Sequence, residues 1–143
     1  MDLGVTTSKD RVTTSAQYVG IVSIPANYTV DETVIASHSD PRGQDAKLFA
    51  VISHSGEAET AGLHVPPTRV MIFGNPQAGT PLILAAPTVA IDLLLKLLIA
   101  QNADGFITIS YNSSEYLRLR HHIPEELLGN IAVVEALARQ VAE

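Results

Sequence analysis

Residues 102–105 read Asn-Ala-Asp-Gly, and the six residues that follow (106–111, FITISY) alternate between apolar and polar. A short connection rich in Asn, Asp and Gly before an alternating β-branched run is a hairpin signal. A hairpin needs an antiparallel partner just upstream, and that partner can only be residues 93–101 (LLLKLLIAQ). Leu-rich composition alone would suit a helix there; the hairpin decides for a strand. A chain with such a pair builds a sheet that is antiparallel at least in part.

Three more segments carry strand character: 18–24 (YVGIVSI), 47–54 (KLFAVISH) and 68–73 (TRVMIF). The second is apolar on both faces, which predicts a central strand. Helical signals fall between them. Thr29 and Glu32 have capping-box spacing, and Pro41 ends any helix that starts there. Ser55 is a candidate cap for a short helix over 55–62 that stops at Gly62. A helix is predicted from Asn75 to about Ala86, and another over 113–122. Pro124, Glu125 and Glu126 open a last helix, with proline and acids placed early. Its Leu127, Ile131, Val134, Ala138 and Val141 recur at three- and four-residue steps, one apolar stripe. About five strands alternating with four or five short helices predict an α+β two-layer sandwich: a mixed or antiparallel sheet with short helices on one face. The second sheet face is expected to be covered by helices or by a second copy of the chain. Residues 1–16, rich in Thr, Ser and charge, are expected to be a flexible tail before a single domain over 17–143.

Composition narrows the function. The chain has 143 residues, 46% of them hydrophobic and 17% charged, with a formal net charge of −6. Nine scattered Lys and Arg make no basic stripe, so nucleic-acid binding is not expected. There is no cysteine, which removes disulfides, thiolate metal sites and a Cys nucleophile. Residues 82–100 are mostly apolar but contain Pro87, Asp92 and Lys96. Charges cost about 2.5–3.5 kcal/mol each at mid-membrane, so this run is expected in a core and no membrane partner is predicted. No secretory signal is visible at the N-terminus, and a cytoplasmic location is the default expectation.

The segment 73–81 (FGNPQAGTP) is the most informative for chemistry. A strand ends, Gly74 permits an unusual turn, Asn75 is a helix cap and Pro76 suits a first helical position. Such a turn can aim backbone N–H groups at an anion, with Thr80 adding a hydroxyl; it can also simply build the turn. No Lys follows Gly79, so this is not a nucleotide P-loop. The five histidines (His38, His54, His64, His121, His122) lack i,i+4 metal-site spacing, and neither HExxH nor GxSxG occurs. No metal is therefore expected, and no cofactor is indicated. His54 ends a strand on what is expected to be the same edge as Asn75, where it can converge with His121. Asp92, in apolar surroundings, is expected to be exposed or to cap backbone; Arg118 and Arg120 are expected to face solvent.

The runs KLFAVISHSGEAETAGL, TRVMIFGNPQAGTPLILAAPTVAIDLLLKLLI and ADGFITISYNSSEYL, between residues 47 and 117, resemble the domain-of-unknown-function family 302 (DUF302). The FGNP-x-x-GTPL string is the specific part, and the likeness runs from about residue 18 to the C-terminus. The resemblance implies a compact α+β domain, often dimeric, with no established activity. It marks Phe73, Gly74, Asn75, Pro76, Gly79, Thr80, Asp92, Tyr111 and His121 as motif positions without assigning them roles. Two departures stand out. Where the family pattern reads D-L-P-L this chain has Asp92-Leu93-Leu94-Leu95, and its 35–46 segment is polar where the family's first helix is amphipathic.

The leading expectation is a homodimeric small-ligand or interaction domain. Its ligand, anionic in the first instance, would sit at Gly74, Asn75, Gly79 and Thr80 beside His54, Asp92, Tyr111 and His121. One alternative is an enzyme using His54, Asp92, Tyr111 and His121 for metal-assisted or acid–base chemistry. The other is a purely structural dimer module.

Overall fold

The computed structural model describes residues 13–14, 19–38 and 47–143. Among them one antiparallel sheet runs in the order β1-β2-β6-β5-β4-β3, with β1 Thr13–Thr14, β2 Ile21–Pro25, β3 Lys47–Ser53, β4 Thr68–Gly74, β5 Leu95–Gln101 and β6 Ile107–Asn112. Five helices complete it: α1 Val30–His38, α2 His54–Thr60, α3 Pro76–Ala85, α4 Ser114–His121 and α5 Val133–Ala142. Pro87–Ile91 and Glu125–Asn130 are 3-10 helices. This is the α+β fold expected, with the 102–105 turn joining β5 to β6 as the hairpin signal required.

Local chemistry explains the starts and stops. The Thr29 hydroxyl accepts from the Glu32 N–H at 3.1 Å, and the Glu32 carboxylate accepts from the Thr29 N–H at 3.0 Å. That is a complete capping box for α1. Asn102 Oδ1 accepts from the N–H groups of Asp104 and Phe106, both at 2.9 Å, and Gly105 takes a φ of 88° that closes the hairpin. Ser53, rather than Ser55, caps α2 by accepting from the Gly56 N–H; Ser55 instead ties α2 to the start of β4 through the Thr68 N–H.

Side-chain alternation gives the sheet two unlike faces. Ile24, Ile109 and Ile99 form one row across β2, β6 and β5, and Leu97 lies beside Met71 of β4. These five are buried beneath α1 and α5. The opposite face carries a row Ser23, Ser110, Leu98, Val70, Ile52 across five strands, and these side chains are half-buried or exposed.

Three expectations are corrected. β3 is an edge strand, not a central one: its apolar residues on the face away from α1 and α5 stay accessible, Phe49 at 44% and Ile52 at 41%. The last helix is not continuous from Pro124. Gly129 and Asn130 close a 3-10 turn, and α5 starts only at Val133. Thr13 and Thr14, inside the segment expected as a tail, pair with β2; residues 1–12 and 15–16 of that segment lie outside the described residues. So does most of the polar 35–46 stretch, apart from the backbone of α1 up to His38.

Candidate functional site

Register decides which candidates meet. Lys47 pairs with Gly74, Phe73 with Leu95, and Ile21 with Asn112. One end of the sheet therefore collects the turn after β4, the approach to β5 and the exit from β6. Gly74, Asn75, Gly79, Thr80, Asp92, Tyr111 and His121 all derive from that end. His54 does not: Ser53 pairs with Arg69, five residues along β4 from Gly74, about 17 Å at ~3.4 Å per residue. The expected convergence of His54 with His121 is thus overturned by antiparallel pairing, which sends the end of β3 away from the end of β4.

Asn75 shapes the turn. Its side-chain oxygen accepts from the Gln77 N–H at 2.9 Å, and its carbonyl accepts from Ala78 N–H at 3.0 Å and Gly79 N–H at 2.8 Å. Pro76 has no N–H to offer. The amides of Gln77, Ala78 and Gly79 in the first turn of α3 are therefore consumed internally rather than displayed to an anion.

What the turn builds instead is the wall of a cavity of about 580 Å³. Phe73, Leu82, Ile83, Leu93, Leu94 and Val133 supply its apolar lining; Asn75, Gln77, Thr80 and Asn130 supply polar groups. Among the described residues that line it, none is charged. Gly74 is required by close approach: a Cβ there would overlap the Leu94 side chain and come within 3.0 Å of Phe49 Cε2. The Leu93–Leu94 peptide is cis, at the place where the family pattern has proline. Asn130, from the 3-10 turn, donates its amide N–H to the Ala78 carbonyl at 2.9 Å and so pins the turn before α5 onto α3.

Beside the cavity lies a second cluster. Asp92 ends the Pro87–Ile91 helix, one residue before Leu93 of the cavity wall, and its side chain is only 12% exposed. Its carboxylate accepts from Arg120 Nη1 at 2.9 and 3.2 Å and lies 2.6 Å from His121 Nε2. His121 Nδ1 lies 2.8 Å from the Thr88 hydroxyl. A carboxylate only accepts, so Nε2 carries a proton; with a neutral ring, Thr88 donates to Nδ1. Asp92 is thus largely buried and paired, not exposed, and Arg120 faces it rather than solvent alone. Arg118 pairs instead with Glu115 at 2.6 Å, which holds the exposed Glu115 carboxyl below its ordinary range.

Tyr111 stands apart from both clusters, on the helix-covered face. Burial, then the charge of Glu135, pushes its hydroxyl above the ordinary value of 10.0, against a smaller pull from Arg139. Glu135 is held by the N–H and hydroxyl of Ser114, each at 3.0 Å, which ties the first turn of α4 to α5. Thr88, Asn130 and Glu135 have no place among the sequence candidates, and Arg120 is there only as a residue facing solvent. Only Asn130 carried a local sign, the Gly-Asn pair interrupting the apolar stripe. Among the described residues no group of three or more His, Asp or Glu is placed to hold a metal ion.

Fold and cavity together define a small α+β sheet domain with a ligand-sized apolar recess beyond one sheet end. The DUF302 family (domain of unknown function DUF302) matches residues 22–143, and the chain belongs to it. The crystal structure of an uncharacterized conserved DUF302 protein from Bacillus stearothermophilus superposes with a TM-score of 0.72, covering 87% of this chain and 97% of that one at 16% identity, which establishes a shared fold. A protein of Brucella suis biovar 1 (strain 1330) described as fluoride-specific ion channel FluC 1 is 31% identical over 104 residues, which span 73% of this chain and 41% of that protein. The FluC 1 of Brucella abortus biovar 1 (strain 9-941) is likewise 31% identical, with 38% of its length covered. The chain thus spans about two fifths of the curated relatives it matches.

Proposed function

We propose that this domain binds a small molecule in the recess formed by the 74–80 turn, the approach to β5 and the start of α5. The observation that carries this reading is the cavity of about 580 Å³, apolar with a few polar groups. Its size lies within the ~300–1,000 Å³ usual for small-molecule sites. Native mass spectrometry of the untreated protein is the test. A retained adduct that is lost when Gly79 is replaced by Phe supports the reading. An adduct-free spectrum, together with no thermal shift from any member of a panel of neutral and charged small molecules, ends it.

The relatives described as fluoride channels suggest a setting. No helix among the described residues is long and apolar enough to cross a membrane. We take the shared segment to be a module lying outside the membrane-crossing part of those proteins. Fluoride itself is a poor match for the recess: a small anion would shed its hydration there without meeting a cation among the described lining residues.

A specific observation favours a second reading, acid–base chemistry. His54 is at the wrong end of the sheet for it, but Thr88, His121 and Asp92 form a hydrogen-bonded chain anchored by Arg120. Turnover of an ester or amide substrate that disappears in both Thr88→Val and His121→Asn would support it. Equal rates for wild type and both variants would remove it.

A homodimer is the third element of the proposal, supported by the accessible row Leu98, Val70, Ile52 on the sheet face away from α1 and α5.

A further inference from the structure

The chemistry of the cavity's polar groups narrows the ligand class. This inference rests on the ligand-binding reading above and goes one step further. Asn75 and Asn130 both line the cavity, and each already spends one half of its amide on the protein. Asn75 uses its oxygen, accepting from the Gln77 N–H. Asn130 uses its nitrogen, donating to the Ala78 carbonyl. The unspent halves are complementary: an NH2 donor on Asn75 and a carbonyl acceptor on Asn130. Both bonds engage the first turn of α3, at the successive residues Gln77 and Ala78, which brings both side chains to that turn. Both are also fixed in orientation, because flipping either amide would break the bond it makes to the turn.

Beside an apolar wall, and with no charged side chain among its described lining residues, the recess offers these two amide halves together with the neutral side chains of Gln77 and Thr80, and suits a neutral group with one acceptor and one donor. We propose that the ligand carries a carboxamide or lactam head on an apolar body. Its carbonyl accepts from Asn75 Nδ2, its N–H donates to Asn130 Oδ1, and its body packs on Leu93, Leu94 and Val133. A carboxylate of the same shape has no N–H for Asn130, and its charge is desolvated without a cation. A ketone satisfies Asn75 but leaves Asn130 unpaired.

The test is a matched series on one carbon skeleton: hexanamide, hexanoate and the methyl ketone of equal length. Binding to the 143-residue chain is followed by titration of 13C-labelled leucine and valine methyl signals. Hexanamide is expected to bind at least tenfold tighter than hexanoate and several-fold tighter than the ketone. Asn75→Asp is the informative variant: Asp is as good a helix cap as Asn, so the turn persists while the donor is removed. It is expected to leave the melting temperature close to wild type and to weaken hexanamide about tenfold. If hexanoate or the ketone binds as tightly as hexanamide, or Asn75→Asp leaves the amide affinity unchanged, the head-group assignment is wrong although the cavity still binds ligands. If no compound in the series moves any Leu93, Leu94 or Val133 methyl signal, the carboxamide assignment is overturned, and the ligand-binding reading is decided separately by the native mass spectrum and the wider panel.

Discussion

Gly20 holds a φ of 78°, and a Cβ built there would overlap the ring of Tyr116. Its carbonyl also accepts from the Ser113 N–H at 2.8 Å, so the turn before β2 is tied to the cap of α4. Gly20→Ala therefore meets left-handed strain and a clash together, and is expected to cost about 2–4 kcal/mol, read as a lowered urea midpoint. Gly62 makes the useful control, since its φ is 80° with open space around it; Gly62→Ala carries the strain alone and should cost less. His121 is the second sensitive position. Its side chain, 5% exposed, joins Thr88 to Asp92. His121→Ala leaves an unfilled space and two abandoned partners, for an expected loss of about 1–3 kcal/mol in chemical denaturation. A His121→Ala protein as stable as wild type would mean that the cluster contributes nothing to the fold. At this scale local roles were legible and distant pairings were not. Asn75 as a cap follows from its neighbours in sequence. That Asp92 would be buried against Arg120 and His121 depends on partners 28 and 29 residues away, and no local pattern encodes that.

Elements were legible where their signals are local. The capping box fixes the start of α1, and the Asn102 turn fixes β5 and β6. The stripe Val134, Ala138, Val141 is buried in α5 as its spacing predicted. The break before α5 was missed because Leu127 and Ile131 continue the apolar spacing straight through the Gly129–Asn130 turn. The edge position of β3 was missed because apolarity on two faces reports hydrophobicity, not coverage. The candidate site was half legible for the same reason: the 74–80 turn is local, whereas the cavity needs Leu93 and, from another stretch of the chain, Asn130 and Val133. The layer of α5 on β6 has a testable pH signature. Tyr111 is raised by burial and by Glu135 of α5. A group whose folded value exceeds its unfolded one contributes stability that is fully present below the unfolded value and is lost as pH rises through the folded one. Stability should therefore hold up to about pH 10, the ordinary tyrosine value, and decline above it. Tyr111→Phe should remove part of that alkaline slope while leaving the neutral-pH midpoint nearly unchanged. An identical slope in wild type and Tyr111→Phe would show that Tyr111 ionises as freely folded as unfolded.

On the scale of the whole molecule, the sheet poses the largest physical question. One face is buried under α1 and α5, while the other presents Val70, Ile72, Leu98 and Ala100 half-buried, next to Ile52 at 41% exposure. The two serines at the far end of that row, Ser23 and Ser110, bond to each other at 2.7 Å, so the hydroxyls at that end of the row are already partnered. Apolar residues beside internally satisfied hydroxyls make a surface that loses little on leaving water. Leu98 sits at the middle of the row, flanked by Ser110 and Val70. If two copies meet face to face, Leu98→Lys puts a charge at the centre of the contact, where an unpaired buried charge is most costly. Within a single chain the same lysine can reach solvent, so the fold should tolerate it. Light scattering is expected to give twice the 15.3 kDa chain mass for wild type and the single-chain mass for Leu98→Lys, with similar unfolding midpoints once the dimer term is removed. A wild-type mass near 15.3 kDa across the micromolar range would end the homodimer proposal. A variant that stays dimeric would move the contact elsewhere, with the exposed Leu84, Ile91 and Leu119 of α3, the Pro87–Ile91 turn and α4 as the next surface to mutate. The choice bears on the cavity as well. Gly74 and Leu94 adjoin Phe49 at the edge of the open face, so a partner seated on that face would reach one rim of the recess and alter ligand exchange, which the leucine methyl titration would register as a change in off-rate between wild type and Leu98→Lys.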